Sequence, residues 1–135
     1  MKEFNPYITF DGNCEEALRF YCHCFGGKIV FMQYYDETVQ KDHTGPKSKV
    51  MHSEFRADPV CLMACDRSPG QNIHHGTNIT LYVSFENSRQ QDEIFLKLAE
   101  KGTIHMPLEG TFWGSRLGVL TDQFGIHWML VLNRD

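Results

Sequence analysis

The hydrophobic residues of this chain follow two kinds of spacing. Over residues 14–25, apolar side chains recur at intervals of three and four residues, which predicts one apolar face of a helix formed by Ala17, Leu18, Phe20, Tyr21 and Phe25. Elsewhere, short stretches rich in β-branched and aromatic residues alternate with polar positions, which is typical of strands. The predicted helices are 14–25 and 88–101, and the predicted strands are 6–10, 28–35, 50–57, 60–65, 77–85, 103–108, 116–121 and 127–132.

Polar residues and glycines mark the ends of the predicted helices. Gly12 or Asn13 is expected to cap the first helix, and Asn87 the second. Gly26-Gly27 follows the first helix, as a left-handed C-cap requires. Between the strands, Asp122 is expected to bind backbone amides in a hairpin turn that ends at Gly125. The polar segment 36–49 is expected to be a loop, because it contains Gly45-Pro46.

The order of these elements occurs twice in the sequence. When the chain is shifted by 75 positions against itself, residues of the same kind coincide. The coinciding pairs are Phe10 with Phe85, Asp11 with Glu86, Phe20 with Phe95, Gly27 with Gly102 and Ile29 with Ile104. Each copy has the order βαβββ, so the fold class is predicted to be α+β. We expect modules at 1–68 and 77–135, joined by a linker at 69–76, to form a curved eight-stranded mixed sheet with a concave cleft.

Composition and length favour one ordinary globular domain. The chain has 135 residues and a net charge of −4, and its 13 Lys and Arg residues are scattered. No basic stripe forms, so nucleic acid is not an expected partner. The sequence shows no apolar run of membrane-spanning length and no signal peptide, so no membrane partner is expected. Five cysteines form an odd set without a disulfide framework, which predicts a reduced, cytoplasmic protein.

Candidate chemistry centres on one predicted strand. His52 and Glu54 share a strand face because side chains alternate, and Arg56 follows on that face. The row can be a solvent-facing polar row, a contact for a polar substrate, an acid–base pair or part of a metal site. The sequence leaves these alternatives open.

Other histidines and an aromatic pair also have more than one interpretation. The adjacent residues His74 and His75 are expected to be exposed in the linker. His105 and His127 lie on predicted strands, and His127 faces the cleft only if it shares a face with Met129. The pair Phe112-Trp113 can form a pocket wall or pack in the core.

Several motifs, in order along the whole chain, resemble those of PhnB-like or glyoxalase-like proteins of the vicinal oxygen chelate superfamily. The motifs are Asn5-Pro6-Tyr7-Ile8-Thr9-Phe10, Gly12-Asn13-Cys14-Glu15-Glu16-Ala17, Phe20-Tyr21, Phe25-Gly26-Gly27, His52, Leu62-Met63 with Asp66, Phe112-Trp113-Gly114, Gly118, Thr121-Asp122, Phe124-Gly125 and His127-Trp128. The resemblance implies the glyoxalase-like fold, a small-molecule ligand and a homodimer. Relatives of this architecture include metal-dependent isomerases, dioxygenases and proteins that sequester a drug.

The resemblance also locates the positions where metal-using members hold their ion. These positions lie near Asn5 and Thr80 on the opening strands, and near Met63 or Ala64 and Met129 on the closing strands. None is His, Asp or Glu, the donors that a hard or borderline divalent ion prefers. The metal prediction is therefore none, the cofactor is unknown, and a divalent ion remains possible only with other ligands such as His52 and Glu54.

The leading functional hypothesis is a protein that binds a small molecule in the cleft between its modules. His52 and Glu54 are the candidate catalytic residues, and the candidate substrate-binding residues are Asn5, Tyr7, Thr9, Thr80, Tyr82, Trp113 and Met129. The alternative is a metal-dependent lyase, isomerase or dioxygenase that uses His52 and Glu54. Some relatives are called 3-demethylubiquinone 3-methyltransferase. The sequence does not favour that activity, because it lacks a G-x-G loop after a strand to hold S-adenosylmethionine.

Overall fold

The computed structural model describes residues 1–35 and 49–133, which form two compact units. Unit 1 is Met1–His74 and unit 2 is His75–Asp135. Most of the loop predicted at 36–49 lies outside the described residues. The elements of unit 1 are β1 (Tyr7–Phe10), α1 (Cys14–Phe25), β2 (Lys28–Tyr34), β3 (Val50–Ala57) and β4 (Val60–Asp66), and those of unit 2 are β5 (Leu81–Phe85), α2 (Ser88–Leu98), β6 (Thr103–Gly110), β7 (Ser115–Thr121) and β8 (His127–Asn133).

Both units have the same strand order, which confirms the duplicated βαβββ module. The order is β1-β4-β3-β2 in unit 1 and β5-β8-β7-β6 in unit 2. In each unit the opening strand runs parallel to the closing strand, and the other pairings are antiparallel. The eight strands are therefore divided between two mixed sheets of four. The assignment of residues 69–76 as a linker stays a prediction.

Two elements of unit 2 are shorter than predicted, and their neighbours explain why. Strand β5 begins at Leu81, which pairs with Trp128 in parallel register. In the same register, Thr77 would have to pair with Phe124. Phe124 lies in the turn before β8, so the predicted start of β5 has no strand to pair with. Helix α2 ends at Leu98, because residues 99–102 form a tight turn that includes Lys101 at φ 57°. Among the described residues, neither helix has the length and apolar character needed to cross a membrane.

Helix α1 packs on one side of the unit 1 sheet. The ring of Phe55 on β3 lies 6.4 Å from that of Tyr21 and 6.2 Å from that of Phe25. Leu62 and Ala64 of β4 are buried on the same side as Phe55. Strand alternation then directs the neighbouring residues of each strand to the opposite side.

A buried carboxylate joins three elements of unit 1. Asp66, at the end of β4, is 2% exposed. Its Oδ1 accepts a hydrogen bond from the Cys14 backbone at 2.9 Å, and its Oδ2 accepts one from Val50 at 2.8 Å. The expected N-cap position at Asn13 is confirmed, but the Asn13 side chain is not the acceptor. Asn13 occupies the N-cap position without a side-chain cap bond, because Asp66 supplies the acceptor and places its charge at the positive end of α1.

Unit 2 uses different polar groups for the equivalent tasks. Asn87 caps α2 as expected, with its Oδ1 accepting from the Gln90 backbone at 2.7 Å. The prediction for Asp122 is also confirmed, since its carboxylate accepts from the backbones of Phe124 and Ile126. Its second oxygen accepts from the Trp128 indole at 2.9 Å, which ties the turn to the core.

The equivalent glycines Gly27 and Gly102 each lie where the chain passes close to a neighbouring strand. A Cβ on Gly27 would lie 2.2 Å from the carbonyl oxygen of Arg56. A Cβ on Gly102 would lie 2.4 Å from the carbonyl oxygen of Thr121. Because both obstacles are backbone atoms, they cannot move as a flexible side chain can. The repeat therefore preserves glycine at the same steric position in both units.

We predict that Gly27→Ala and Gly102→Ala each destabilise the protein. Forcing a methyl group against backbone should cost about 1–3 kcal/mol of unfolding free energy, measured by urea denaturation. Gly110→Ala is the matched control, because its Cβ would meet nothing within 4 Å. Equal losses of stability in Gly110→Ala and the other two variants would contradict this steric explanation.

The second prediction concerns alkaline pH and the buried thiol of Cys14. Burial raises the pKa of Cys14 to about 12, and the nearby Asp66 carboxylate adds to the rise. A raised pKa of an acid stabilises the fold below the unfolded-state pKa, and this stabilisation is lost as the pH rises toward the folded-state pKa. Between about pH 9 and 12, Cys14 should therefore steepen the loss of unfolding free energy by up to about 1.4 kcal/mol per pH unit.

Urea denaturation at several values in this pH range tests the prediction. Cys14→Ala should lose less unfolding free energy with rising pH than the wild-type protein loses. Parallel pH dependences in the two proteins would show that the Cys14 thiol is not responsible.

Candidate functional site

The side of the unit 1 sheet opposite α1 carries most of the candidate residues of that unit. We call it the helix-free face of unit 1. Register pairs Tyr7 with Met63 and Thr9 with Cys65, and it pairs Gln33 with His52. The face consists of Tyr7, Thr9, Phe31, Gln33, His52, Glu54, Arg56, Cys61, Met63 and Cys65. The structure therefore brings Tyr7, Thr9, His52 and Glu54 together on one surface.

His52 contacts two aromatic rings on this face. The Tyr7 ring stacks on it with a centroid separation of 5.6 Å and an interplanar angle of 16°. The Phe31 ring lies 5.7 Å away at an angle of 49°. The Tyr7 hydroxyl and His52 Nδ1 are 3.0 Å apart, which is hydrogen-bond distance. This contact involves one ring nitrogen and leaves His52 Nε2 as the nitrogen through which a ligand can be bound.

The Tyr7 hydroxyl keeps its proton at neutral pH. Desolvation raises the pKa of Tyr7 to about 12, and the neighbouring Cys65 thiol adds to the rise. Thr9 also lies beside this thiol, with Oγ1 3.8 Å from Cys65 Sγ. The opening strand thus presents neutral hydroxyl groups beside the imidazole.

Glu54 and Arg56 form an ion pair next to His52. The Arg56 Nε donates to Glu54 Oε2, and the bond to Glu54 raises the pKa of Arg56. The Glu54 side chain is 18% exposed and that of Arg56 is 41% exposed. The carboxylate is thus already engaged by a cation, while the rest of the guanidinium remains accessible. Among the residues that the structure describes, no three His, Cys, Asp or Glu side chains gather into a group that could hold a metal.

The corresponding surface of unit 2, its helix-free face, carries two of the candidate residues. Phe95 of α2 approaches Gly118 on one side of the sheet, and the alternation of β7 and β8 places Val119 and Met129 on the other. Tyr82 pairs with Met129, in the position that Tyr7 has opposite Met63 in unit 1. The Tyr82 side chain is 57% exposed.

Three further candidates lie outside the strands. Asn5 precedes β1 and is half-buried, whereas Thr80 precedes β5 and is exposed. Trp113 lies between β6 and β7 and forms a T-shaped pair with Phe112, with their centroids 4.8 Å apart. Phe112 is 97% exposed, so core packing of this pair is wrong. The roles of these three candidates in ligand binding stay predictions.

A histidine–threonine–histidine chain on unit 2 escaped the sequence analysis. His105 Nε2 and His127 Nδ1 each lie 2.7 Å from Thr121 Oγ1. His127 Nε2 lies 2.7 Å from the carbonyl oxygen of Gly76. His127 shares its face with Met129, which was one of the two alternatives, but its link to His105 depends on the pairing of His127 with Thr121. The signal available in the sequence was one polar residue, His105, Thr121 or His127, on each of three neighbouring strands.

Comparison with known proteins places the chain among relatives of its full length. It is similar to the crystal structure of protein PA1353 from Pseudomonas aeruginosa, with 30% identity, a TM-score of 0.85 and 100% of both chains covered. It is also similar to a structure from Bacillus cereus described as "Putative 3-demethylubiquinone-9 3-methyltransferase, PhnB protein", with 30% identity, a TM-score of 0.80 and coverage of 97% of this chain and 99% of that one.

A more distant structure supports the fold alone. A glyoxalase-related enzyme from Fulvimarina pelagi has 15% identity and a TM-score of 0.62, over 98% of this chain and 89% of that one. The glyoxalase-like fold predicted from the motifs is therefore confirmed. The model of the family described as 3-demethylubiquinone-9 3-methyltransferase matches residues 2–131, and the chain therefore belongs to this PhnB-like family.

Proposed function

We propose that this protein binds a small, planar organic molecule on the helix-free face of unit 1, with His52 at the centre of the site. The observation that carries the proposal is the contact of His52 with two aromatic side chains that remain substantially exposed. Tyr7 is 51% exposed and Phe31 is 47% exposed. Covering such apolar surface is favourable by roughly 25 cal/mol per Å², and polar groups within an apolar surface are typical of ligand sites.

The polar groups beside the rings give the site its selectivity. His52 Nε2 can accept or donate a hydrogen bond, depending on the tautomer. The exposed guanidinium edge of Arg56 offers donors, while Glu54 balances its charge. A planar ligand with one acceptor group satisfies both features, because its ring covers Tyr7 and Phe31 while its acceptor meets Arg56 or His52.

The candidates on unit 2 enter this proposal as a prediction. Tyr82 and Met129 repeat the pairing of Tyr7 and Met63, so a second contact surface of the same design is available. Roles for Asn5, Thr80 and Trp113 in ligand binding are proposed from the family resemblance. A homodimer is proposed on the same basis.

The alternative is a metal-dependent enzyme that uses His52 and Glu54, which do share one face. A metal ion at Glu54 has to displace the Arg56 guanidinium, which opposes its binding. We expect protein purified without chelator to contain much less than one metal ion per chain, as measured by elemental mass spectrometry. Stoichiometric metal that is lost in His52→Ala would favour the enzyme and contradict our proposal.

Methyl transfer from S-adenosylmethionine receives little support from the first β-α connection. That connection contains the single glycine Gly12, and the N-terminus of α1 is bound by Asp66. Gly26, at φ 77°, serves as the C-cap of α1. The family description thus names an activity for which these glycines provide no cofactor loop. Calorimetric titration with S-adenosylmethionine that saturates at one molecule per chain would reverse this conclusion.

We predict saturable binding of the aromatic sulfonate 8-anilinonaphthalene-1-sulfonate at this face. Phe31→Ala and His52→Ala should each weaken binding by about fivefold or more, because loss of one aromatic contact costs about 1 kcal/mol. Fluorescence titration gives the affinity, and amide shifts in NMR spectra identify the strands that the probe contacts.

Leu96→Ala is the matched control for this experiment. Leu96 is an apolar side chain on α2 that is 68% exposed, so its loss removes apolar surface without changing the proposed site. Equal weakening by all three substitutions, or amide shifts that avoid β1–β4, would refute the proposed location.

A further inference from the structure

The chain of hydrogen bonds on unit 2 has one direction when both imidazoles are neutral. The carbonyl of Gly76 can only accept, so His127 Nε2 carries the proton in that bond. The neutral ring then has a bare Nδ1, which must accept from the Thr121 hydroxyl. Since that hydroxyl has one hydrogen, its oxygen accepts from His105 Nε2–H. The remaining His105 nitrogen, Nδ1, then carries no proton.

His105 Nδ1 is placed to receive a proton from outside the chain. His105 is exposed, and within residues 1–35 and 49–133 its only side-chain hydrogen bond is the one from Nε2 to Thr121. Thr121 and His127 are half-buried and fixed by their own strands. The outer end of the chain is thus open to solvent while the inner end is anchored at Gly76.

An apolar row runs across the sheet next to these polar residues. Register pairs Met106 with Val119, Val119 with Met129, and Met129 with Tyr82. Thr121 and His127 lie two residues from Val119 and Met129 on the same strands, which is one step along the same face. Tyr82 and Met106 are 57% and 43% exposed, so the row can be covered. A ring can therefore lie on the row while its acidic substituent reaches His105.

We propose that His105, Thr121 and His127 form an acid–base site for a phenol-type ligand on the helix-free face of unit 2. The phenol O–H bond breaks and its proton binds His105 Nδ1, which leaves a phenolate beside an imidazolium. The positive charge can then move from His105 to His127. His105 Nε2 gives its proton to Thr121 Oγ1 as the Thr121 hydroxyl proton passes to His127 Nδ1. His105 is the proton acceptor, and Thr121 and His127 are positioning residues.

This proposal rests on unit 2 alone and is independent of ligand binding at His52. Its only connection with the proposed function is the class of ligand, a planar ring with a polar substituent. The test must therefore distinguish the two faces.

Titration with 4-nitrophenol tests the proposal, because the phenolate absorbs visible light and the phenol does not. We expect the protein to bind the probe saturably and to raise the fraction of phenolate at a pH where the free probe is mostly protonated. His105→Gln should abolish this rise. Thr121→Val should reduce the affinity for phenolate at least about tenfold, as expected for a lost hydrogen bond to a charged group, and Thr121→Ser should restore it.

Two control variants separate this site from general effects. Thr103→Val removes a hydroxyl from the residue paired with Thr121 and should leave the phenolate signal unchanged. Leu96→Ala, which removes an exposed apolar side chain from α2, should also leave it unchanged, and the amide shifts that the probe causes in NMR spectra should fall on β5–β8. Circular dichroism verifies that each variant is folded. A phenolate signal that survives in His105→Gln or remains at the wild-type level in Thr121→Val would overturn the proposal.

Discussion

The bidentate interaction of the Asp66 carboxylate determines the arrangement of unit 1. It connects backbone groups of Cys14 and Val50 to the end of β4, across sequence separations of 52 and 16 residues. Hydrogen bonds to a charged group are worth about 1.5–3 kcal/mol each, and a buried carboxylate without them is costly. Because β4 is a central strand, this interaction fixes which side of the sheet α1 covers. The opposite side, with His52, is therefore the helix-free face.

The elements and the duplication could be predicted because their signals are local. Apolar spacing predicted the first helix, and the 75-residue repeat predicted the same order of elements, including the second helix, in both units. The acceptor that caps α1, the Asp66 carboxylate, could not be predicted in this way. Asn13 is itself a favourable capping residue, and nothing near it in the sequence indicates Asp66. The end of α2 was also missed, because residues 99–101 are compatible with a helix and the turn depends on the close approach of Gly102 to Thr121.

In the candidate sites too, only features within one strand could be predicted from the sequence. His52, Glu54 and Arg56 could be placed on one face because they belong to one strand. The stacking of Tyr7 on His52 required the order of the strands, which the alternation pattern does not contain. The histidine chain of unit 2 required the register between β6, β7 and β8, where a shift by one residue would turn Thr121 to the other side. Exposure of Phe112 was also hidden, since a large aromatic residue usually indicates a core.

The glycine contacts have a consequence for how the two units can diverge. Gly27 lies where the start of β2 approaches the end of β3, and Gly102 lies where the start of β6 approaches the end of β7. In both hairpins this is the end opposite the connecting loop. The connection itself spans residues 35–49 in unit 1 but only 111–114 in unit 2. Strand pairing thus tolerates a change in chain length at this point, because the close approach at the opposite end of the hairpin is the same in both units. The segment 111–114 is accordingly the position where unit 2 can accept an inserted peptide without loss of register.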